Sequence, residues 1–319
     1  MSDEHNTASI SKGVSFGMGA GALWGLVFLA PELARDFSPL QLTIGRYFFY
    51  GVFSALLIWP QRQIFARIKR REWFALIWLS LAGNTLYYIL LSSAVQLGGI
   101  AMTSLVIGFL PVAVTIIGSR DRGAVPLQRL ASSLLLCVGG AICIGWQALV
   151  LPASGSVKTQ LAALLCAIGA LVSWTSYAVG NQRWLIRLDD VSAQQWNLLT
   201  GIVTGAQALL LIPLTMAFSH GHHDELTWLR FIGISMGVAT FASIVGNTLW
   251  NRMSQILPLT LVGQMILFET LFALIYGFVW EQRLPTVPET VAFMFVVTSV
   301  FSCITAHQKR LSIVLTPQS

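Results

Sequence analysis

Ten long apolar runs, separated by short polar loops, dominate this chain and limit what it can become. They lie at about 13–34, 39–60, 73–95, 99–118, 127–149, 160–182, 193–218, 229–251, 258–280 and 288–308. A helix needs about 20 mainly apolar residues to cross the hydrocarbon core of a bilayer. Strands of a membrane barrel would instead be about ten residues long with alternating polarity. The pattern therefore predicts an all-α polytopic membrane protein of ten transmembrane helices, with every backbone polar group satisfied inside its own helix. No stretch outside the runs is long enough for a soluble domain. Composition agrees: 55% of the 319 residues are hydrophobic and 10% charged, against about 25% charged in a soluble domain.

The net charge of +6 would raise nucleic-acid binding in a soluble protein. Here the basic residues sit in loops between apolar runs and read as topology signals, so no nucleic-acid partner is expected. Lys12, Arg62, Arg67, Lys69, Arg70, Arg71, Arg120, Arg122, Arg129, Arg183, Arg187, Arg252, Lys309 and Arg310 fall on one side. Arg35, Lys158, Arg230 and Arg283 fall on the other. Cytoplasmic loops are enriched in Lys and Arg, which puts both termini in the cytoplasm. Residues 1–12 form a polar tail. The first run has full span length and no small-residue cleavage site before Pro31, so it is expected to be retained. Cys137, Cys143, Cys166 and Cys303 all lie in apolar runs without metal or redox spacing, and read as small packing residues.

The two halves look related. Trp24 matches Trp174. Ser38, Gln41 and Gly51 match Ser192, Gln195 and Gly205 at one constant separation, and Gln96 and Gly118 match Gln255 and Gly277. Gly83-Asn84-Thr85-Leu86 also matches Gly246-Asn247-Thr248-Leu249, about one helical turn out of register with the others. Each half has five runs, an odd number, so two related halves insert with opposite orientation. Inverted repeats are a common plan of secondary transporters, with the site at the repeat interface near the midplane. The expected organisation is a first five-helix repeat over 13–149 and a second over 160–308, with a C-terminal tail over 309–319.

Ionisable residues inside a span are costly and usually face the protein interior. Glu269, mid-way along the ninth run, is the only acid deep in any run, and Arg46 lies about two turns into the second. Arg46 stays charged; it could meet a substrate carboxylate, Glu269 or backbone carbonyls, or snorkel to the interface. A carboxyl at the Glu269 position could load and release a proton, making a proton the candidate coupling ion. Trp24, Tyr87, Tyr88, Trp174, Tyr177 and Trp250 lie within their runs, where a cavity wall could use them. Trp59, Trp73, Trp146, Trp228 and Trp280 fit the interfacial belt. Asn84 and Asn247 either hold helices together or line a cavity. Gly13, Gly17, Gly21 and Gly25 make one smooth helix face, a device repeated by Gly201 with Gly205 and Gly233 with Gly237. Gly21, Gly25 and Pro111 are the candidate gating and hinge residues, since Pro111 removes a backbone donor mid-span. His220, His222 and His223 read as a polar turn rather than a metal site. No nucleophile–base pairing, HExxH motif or glycine-rich phosphate loop occurs, so no enzyme, cofactor or ATP-driven cycle is expected.

Trp24-Gly25, Arg46, Leu110-Pro111, Trp174 through Tyr177, and Glu281, in this order and spacing, resemble the drug/metabolite transporter superfamily, and within it the EamA-type bacterial transporters. The resemblance covers about 13–308. The sequence departs from the family where it has Glu269-Thr270 in place of a proline, and Arg120-Asp121 and Trp280-Glu281 in place of Gly-Glu pairs. The resemblance implies a secondary transporter of the bacterial inner membrane, exporting small metabolites such as amino acids, with a central cavity formed by spans one to four and six to nine. A multidrug or other solute exporter is the alternative, and a membrane-embedded enzyme or receptor the alternative from another class. With both repeats in one chain, a monomer is expected to suffice.

Overall fold

The computed structural model describes residues 2–34, 36–121, 124–150, 156–188, 190–218, 224–282 and 284–315. Among these, all regular structure is helical. The α-helices longer than four residues are α1 (Ser2–Gly25), α2 (Pro39–Ile58), α3 (Arg70–Ser80), α4 (Leu86–Ile107), α5 (Leu110–Gly118), α6 (Leu127–Val150), α7 (Val157–Arg187), α8 (Ala193–Phe218), α9 (Glu225–Val238), α10 (Asn247–Ile256), α11 (Leu259–Met265), α12 (Leu267–Glu281) and α13 (Val287–Leu315). Among the described residues six stretches are long and apolar enough to cross a membrane: Pro39–Gln61, Arg70–Leu97, Val157–Arg187, Ala193–Thr215, Glu225–Ile256 and Thr290–His307. Leu127–Cys143 and Leu259–Ala273 are shorter apolar helices.

Helix bounds depart from the sequence expectation at three places. Helical backbone begins at Ser2 rather than near residue 13, and α13 runs on to Leu315. Helical backbone also continues through residues 96–98, where a loop was expected. The chain nevertheless reverses nearby. Leu79 packs near Gly180 and Leu90 near Gly169, so α3 and α4 climb antiparallel to α7. Yet Asp121, just after α5, meets Arg183 at the foot of α7 at 2.9 Å. A chain that leaves that level at Leu79 has therefore returned to it by Asp121.

Matching devices recur in the two halves. Ser38 and Gln41 form a reciprocal capping box at the start of α2, and Ser192 and Gln195 form the same box at the start of α8. Each satisfies two backbone donors that a helix start leaves unpaired. A π-helical segment, Leu81–Thr85, joins α3 to α4, and another, Ala239–Gly246, joins α9 to α10. The two Gly-Asn-Thr-Leu sequences begin inside or at the end of these segments. The break before Leu110, with Pro111 in the first turn of α5, answers the break between α11 and α12 at Ile266.

The halves pack through small residues. A Cβ placed on Gly205 would lie 2.6 Å from the Gly51 Cα, so α2 and α8 cross backbone to backbone there. Gly201 lies against Ser54 and Tyr50. The α1 glycines pack likewise: Gly13 on Leu257, Gly17 on Met253 and Met265, Gly21 on Phe268 and Glu269, and Gly25 on Phe272 and Ala273. Gly233 and Gly237 do not follow the expectation. Nothing lies within 4 Å of a Cβ at either, so they form no packing face, although their spacing is the same.

Candidate functional site

The aromatic residues picked from the sequence separate into two groups. Trp24, Trp174 and Trp250 form a triangle: ring centroids are 6.1 Å apart for Trp24–Trp174, 4.9 Å for Trp24–Trp250 and 5.4 Å for Trp174–Trp250. Tyr177 lies 5.9 Å and Tyr87 6.4 Å from Trp174. The three indoles are buried, and the cluster draws on α1, α4, α7 and α10. Tyr88 does not join it. Successive helical residues point about 100° apart, and Tyr88 turns to Tyr47, at 6.0 Å.

Arg46 sits in that second group. Its Cζ lies 5.1 Å from the Tyr47 ring and 5.1 Å from the Tyr88 ring, a two-sided cation–π arrangement. Its Nε donates to Ser243 Oγ at 3.2 Å. Trp24 Nε1 donates to the carbonyl of the preceding residue, Ala242, at 3.1 Å, and to Asn247 Oδ1 at 3.2 Å. The guanidinium and the indole therefore meet on one turn of the second π segment.

That turn is held by groups the sequence reading did not single out. A π segment shifts the hydrogen-bond ladder and frees carbonyls, which must find other donors when buried. Asn197 supplies them: the two hydrogens of its Nδ2 are shared among Ser243 O, Ile244 O and Thr248 Oγ1, and its Oδ1 accepts from the Tyr50 hydroxyl. In the first half, Ser173 Oγ donates to Ala82 O at 2.7 Å. Asn84 Nδ2 donates to Thr204 Oγ1 at 3.3 Å, and Asn247 Nδ2 to the Tyr50 hydroxyl at 3.5 Å. Both asparagines thus tie helices together. A lone Asn in a run gives no sequence signal of such a hub.

Glu269 lies one turn past the irregularity at Ile266 between α11 and α12, its N–H donating to Ile266 O at 3.0 Å. The Gly21 face packs on its backbone, one turn of α1 from Trp24. Arg46 and Tyr87 lie within electrostatic reach of it. Among the described residues no ion pair within 4 Å involves Glu269 or Arg46; the pair found is Arg183–Asp121.

Two open clefts flank this centre. One, of about 430 Å³, is lined by Ser38, Pro39, Ile89, Ser93, Gln96 and Leu214. The other, of about 340 Å³, lies among Gly118, Asp121, Gln182, Arg183, Arg187 and Leu259. Neither reaches the tryptophans. At the end of the bundle near the first cleft, Phe37 stacks on Phe231 at 4.2 Å and meets Trp228 at 5.0 Å. His220, His222 and His223, and the side chains of Trp146, Trp280 and Glu281, lie outside the described residues, as do the surroundings of Gly277.

Residues 11–146 match the EamA-like transporter family. Inner membrane protein YtfF of Escherichia coli (strain K12) is 28% identical over 93% of this chain and 96% of its own length. A solved crystal structure, 17% identical, superposes with a TM-score of 0.70 over 91% of this chain and 97% of that one. At that identity the likeness concerns the fold alone.

Proposed function

We propose that this chain, whose residues 11–146 match the EamA-like transporter family and which resembles an inner membrane protein along most of its length, is a multi-pass inner-membrane transporter working as a secondary carrier. It would export small metabolites, amino acids first among them, by alternating access between two inverted five-helix repeats. Both termini would face the cytoplasm, and one copy of the chain would suffice. The observation that carries this reading is the meeting of the halves at Trp24 and Trp174, with Arg46 and Glu269 beside them. Trp24 and Trp174 match between the halves in sequence and touch in space, as residues beside a two-fold axis would.

Other pairs support the repeat. Along the α2/α8 match, Arg46 corresponds to Thr200 and Tyr50 to Thr204. Along the Gly-Asn-Thr-Leu match, Ser80 corresponds to Ser243 and Asn84 to Asn247. Arg46 bonds Ser243 while Ser80 bonds the Thr200 carbonyl. Tyr50 bonds Asn247 while Thr204 bonds Asn84. Aromatic walls with few charges suit small, partly apolar solutes.

The test is transport by the purified protein in proteoliposomes loaded with a radiolabelled amino-acid pool, with and without a pH gradient. Saturable release of particular amino acids supports the carrier, and acceleration by the gradient supports proton coupling through Glu269. If Glu269→Gln leaves both release and its pH dependence unchanged, that residue's coupling role is wrong. No release from folded protein turns the search to other metabolites and drugs.

A further inference from the structure

The two ionisable side chains at the centre are prepared for a partner that neither supplies to the other. An unpaired charge away from water costs several kcal/mol. Yet among the described residues Arg46 and Glu269 have no ion-pair partner within 4 Å, although they lie within electrostatic reach of one another. Arg46 is also oriented. Tyr47 and Tyr88 lie against the guanidinium, and its Nε is held by Ser243. The guanidinium also meets the Tyr88 hydroxyl, and its remaining terminal N–H groups are placed to take a carboxylate oxygen.

Trp24 is linked to the neighbours of both charged residues. Its indole nitrogen bonds the carbonyl of Ala242, next to the Ser243 that holds Arg46. One turn away on the same helix, Gly21 packs against the Glu269 backbone. Trp250, its ring 4.9 Å from Trp24 at a 35° tilt, keeps a buried indole N–H with no acceptor among the described residues. A donor left so is costly and asks for an acceptor from outside the chain.

We infer that Arg46 and Glu269 are the two poles of a seat for a zwitterion: Arg46 takes the carboxylate, Glu269 takes the ammonium, and the Trp24–Trp250 wall takes an apolar side group. This rests on the carrier reading and adds to it which end of the solute each residue reads. The seat lies on one side of the two-fold relation only, because Thr200 stands where Arg46 would recur. The solute is therefore held in one orientation.

The experiment is counterflow in proteoliposomes with labelled leucine, challenged by unlabelled leucine, leucinamide (no anion) or N-acetylleucine (no cation). The wild type should prefer leucine over each derivative by about tenfold or more, the value of one charge-assisted contact. Arg46→Gln should lose the preference over leucinamide and keep that over N-acetylleucine. Glu269→Gln should do the reverse. Arg46→Lys retains the charge and should retain the leucinamide discrimination with weaker binding. Derivatives that compete as well as leucine, or variants that shift both preferences alike, overturn the seat. If the wild type exchanges no leucine, the tryptophan fluorescence of the cluster decides. A leucine-dependent change lost in Arg46→Gln supports the seat without the carrier, and no change overturns the seat.

Discussion

The two helix crossings at the centre share one scaffold and differ in chemistry. At the first, α2 meets the second π segment: Arg46 bonds Ser243, Tyr50 bonds Asn247 and Asn197, and the Trp24 indole donates to Ala242 and Asn247. At the second, α8 meets the first π segment: Ser80 bonds the Thr200 carbonyl and Asn84 bonds Thr204. Among the described contacts Trp174, the counterpart of Trp24, has ring neighbours but no bond from its indole nitrogen. Capping boxes, π segments and broken helices are kept in both halves, while the charge and the dense hydrogen bonding occur once.

Substitutions at matched positions sharpen or break that comparison. The largest difference is expected between Asn197→Ala and Thr43→Ala. Asn197 serves Tyr50 and two carbonyls of the π segment, and each buried group left unpaired costs about 1–3 kcal/mol. Thr43 bonds only the Pro39 carbonyl of its own helix. Thermal unfolding in detergent should fall steeply for the first and little for the second; equal falls would mean that the crossings are alike after all.

Next, Gly205→Val should force α2 and α8 apart, because the new side chain starts 2.6 Å from the Gly51 Cα. The cost of such overpacking is about 1–3 kcal/mol. Gly233→Ala, with nothing within 4 Å, should stay within about 0.5 kcal/mol. A smaller contrast is expected between Trp24→Phe and Trp174→Phe. The first removes one N–H shared between two buried acceptors, worth about 1–2 kcal/mol, and the second removes ring area alone. Unequal melting shifts support the asymmetry, and equal ones oppose it. Last, Ser38→Ala and Ser192→Ala should cost about 1 kcal/mol each and match one another. A cap that matters in only one half would break the repeat where it is expected to hold best.

Much of this was legible before any coordinates. The capping residues and Gly51 with Gly205 stood out as matched positions and do the same work in each half; Trp24 and Trp174 also stood out, and their rings meet although their indole nitrogens differ in bonding. The Gly-Asn-Thr-Leu pair, out of register with its neighbours in sequence, falls at the π segments, where an altered ladder absorbs a change in register. Three things were not legible. Tyr87 and Tyr88 separate because adjacent helical residues face different ways. Gly233 and Gly237 have the spacing of a packing face but meet no neighbour, since spacing defines a face without saying whether protein or lipid covers it. Asn197 became a hub only because a helix far along the chain opened its carbonyls there.

The central claim is one site opened in turn at the two ends of the bundle. Its most direct test is paired spin-label distances in liposomes. One pair is Asp36 with Leu226, beside the Phe37–Trp228 contact; the other is Arg120 with Ile186, beside the Arg183–Asp121 bridge. All four label positions are exposed. The account predicts two populations in which one distance lengthens as the other shortens, with transported solute shifting their ratio. Distances that stay single and fixed, or that lengthen together, would contradict it.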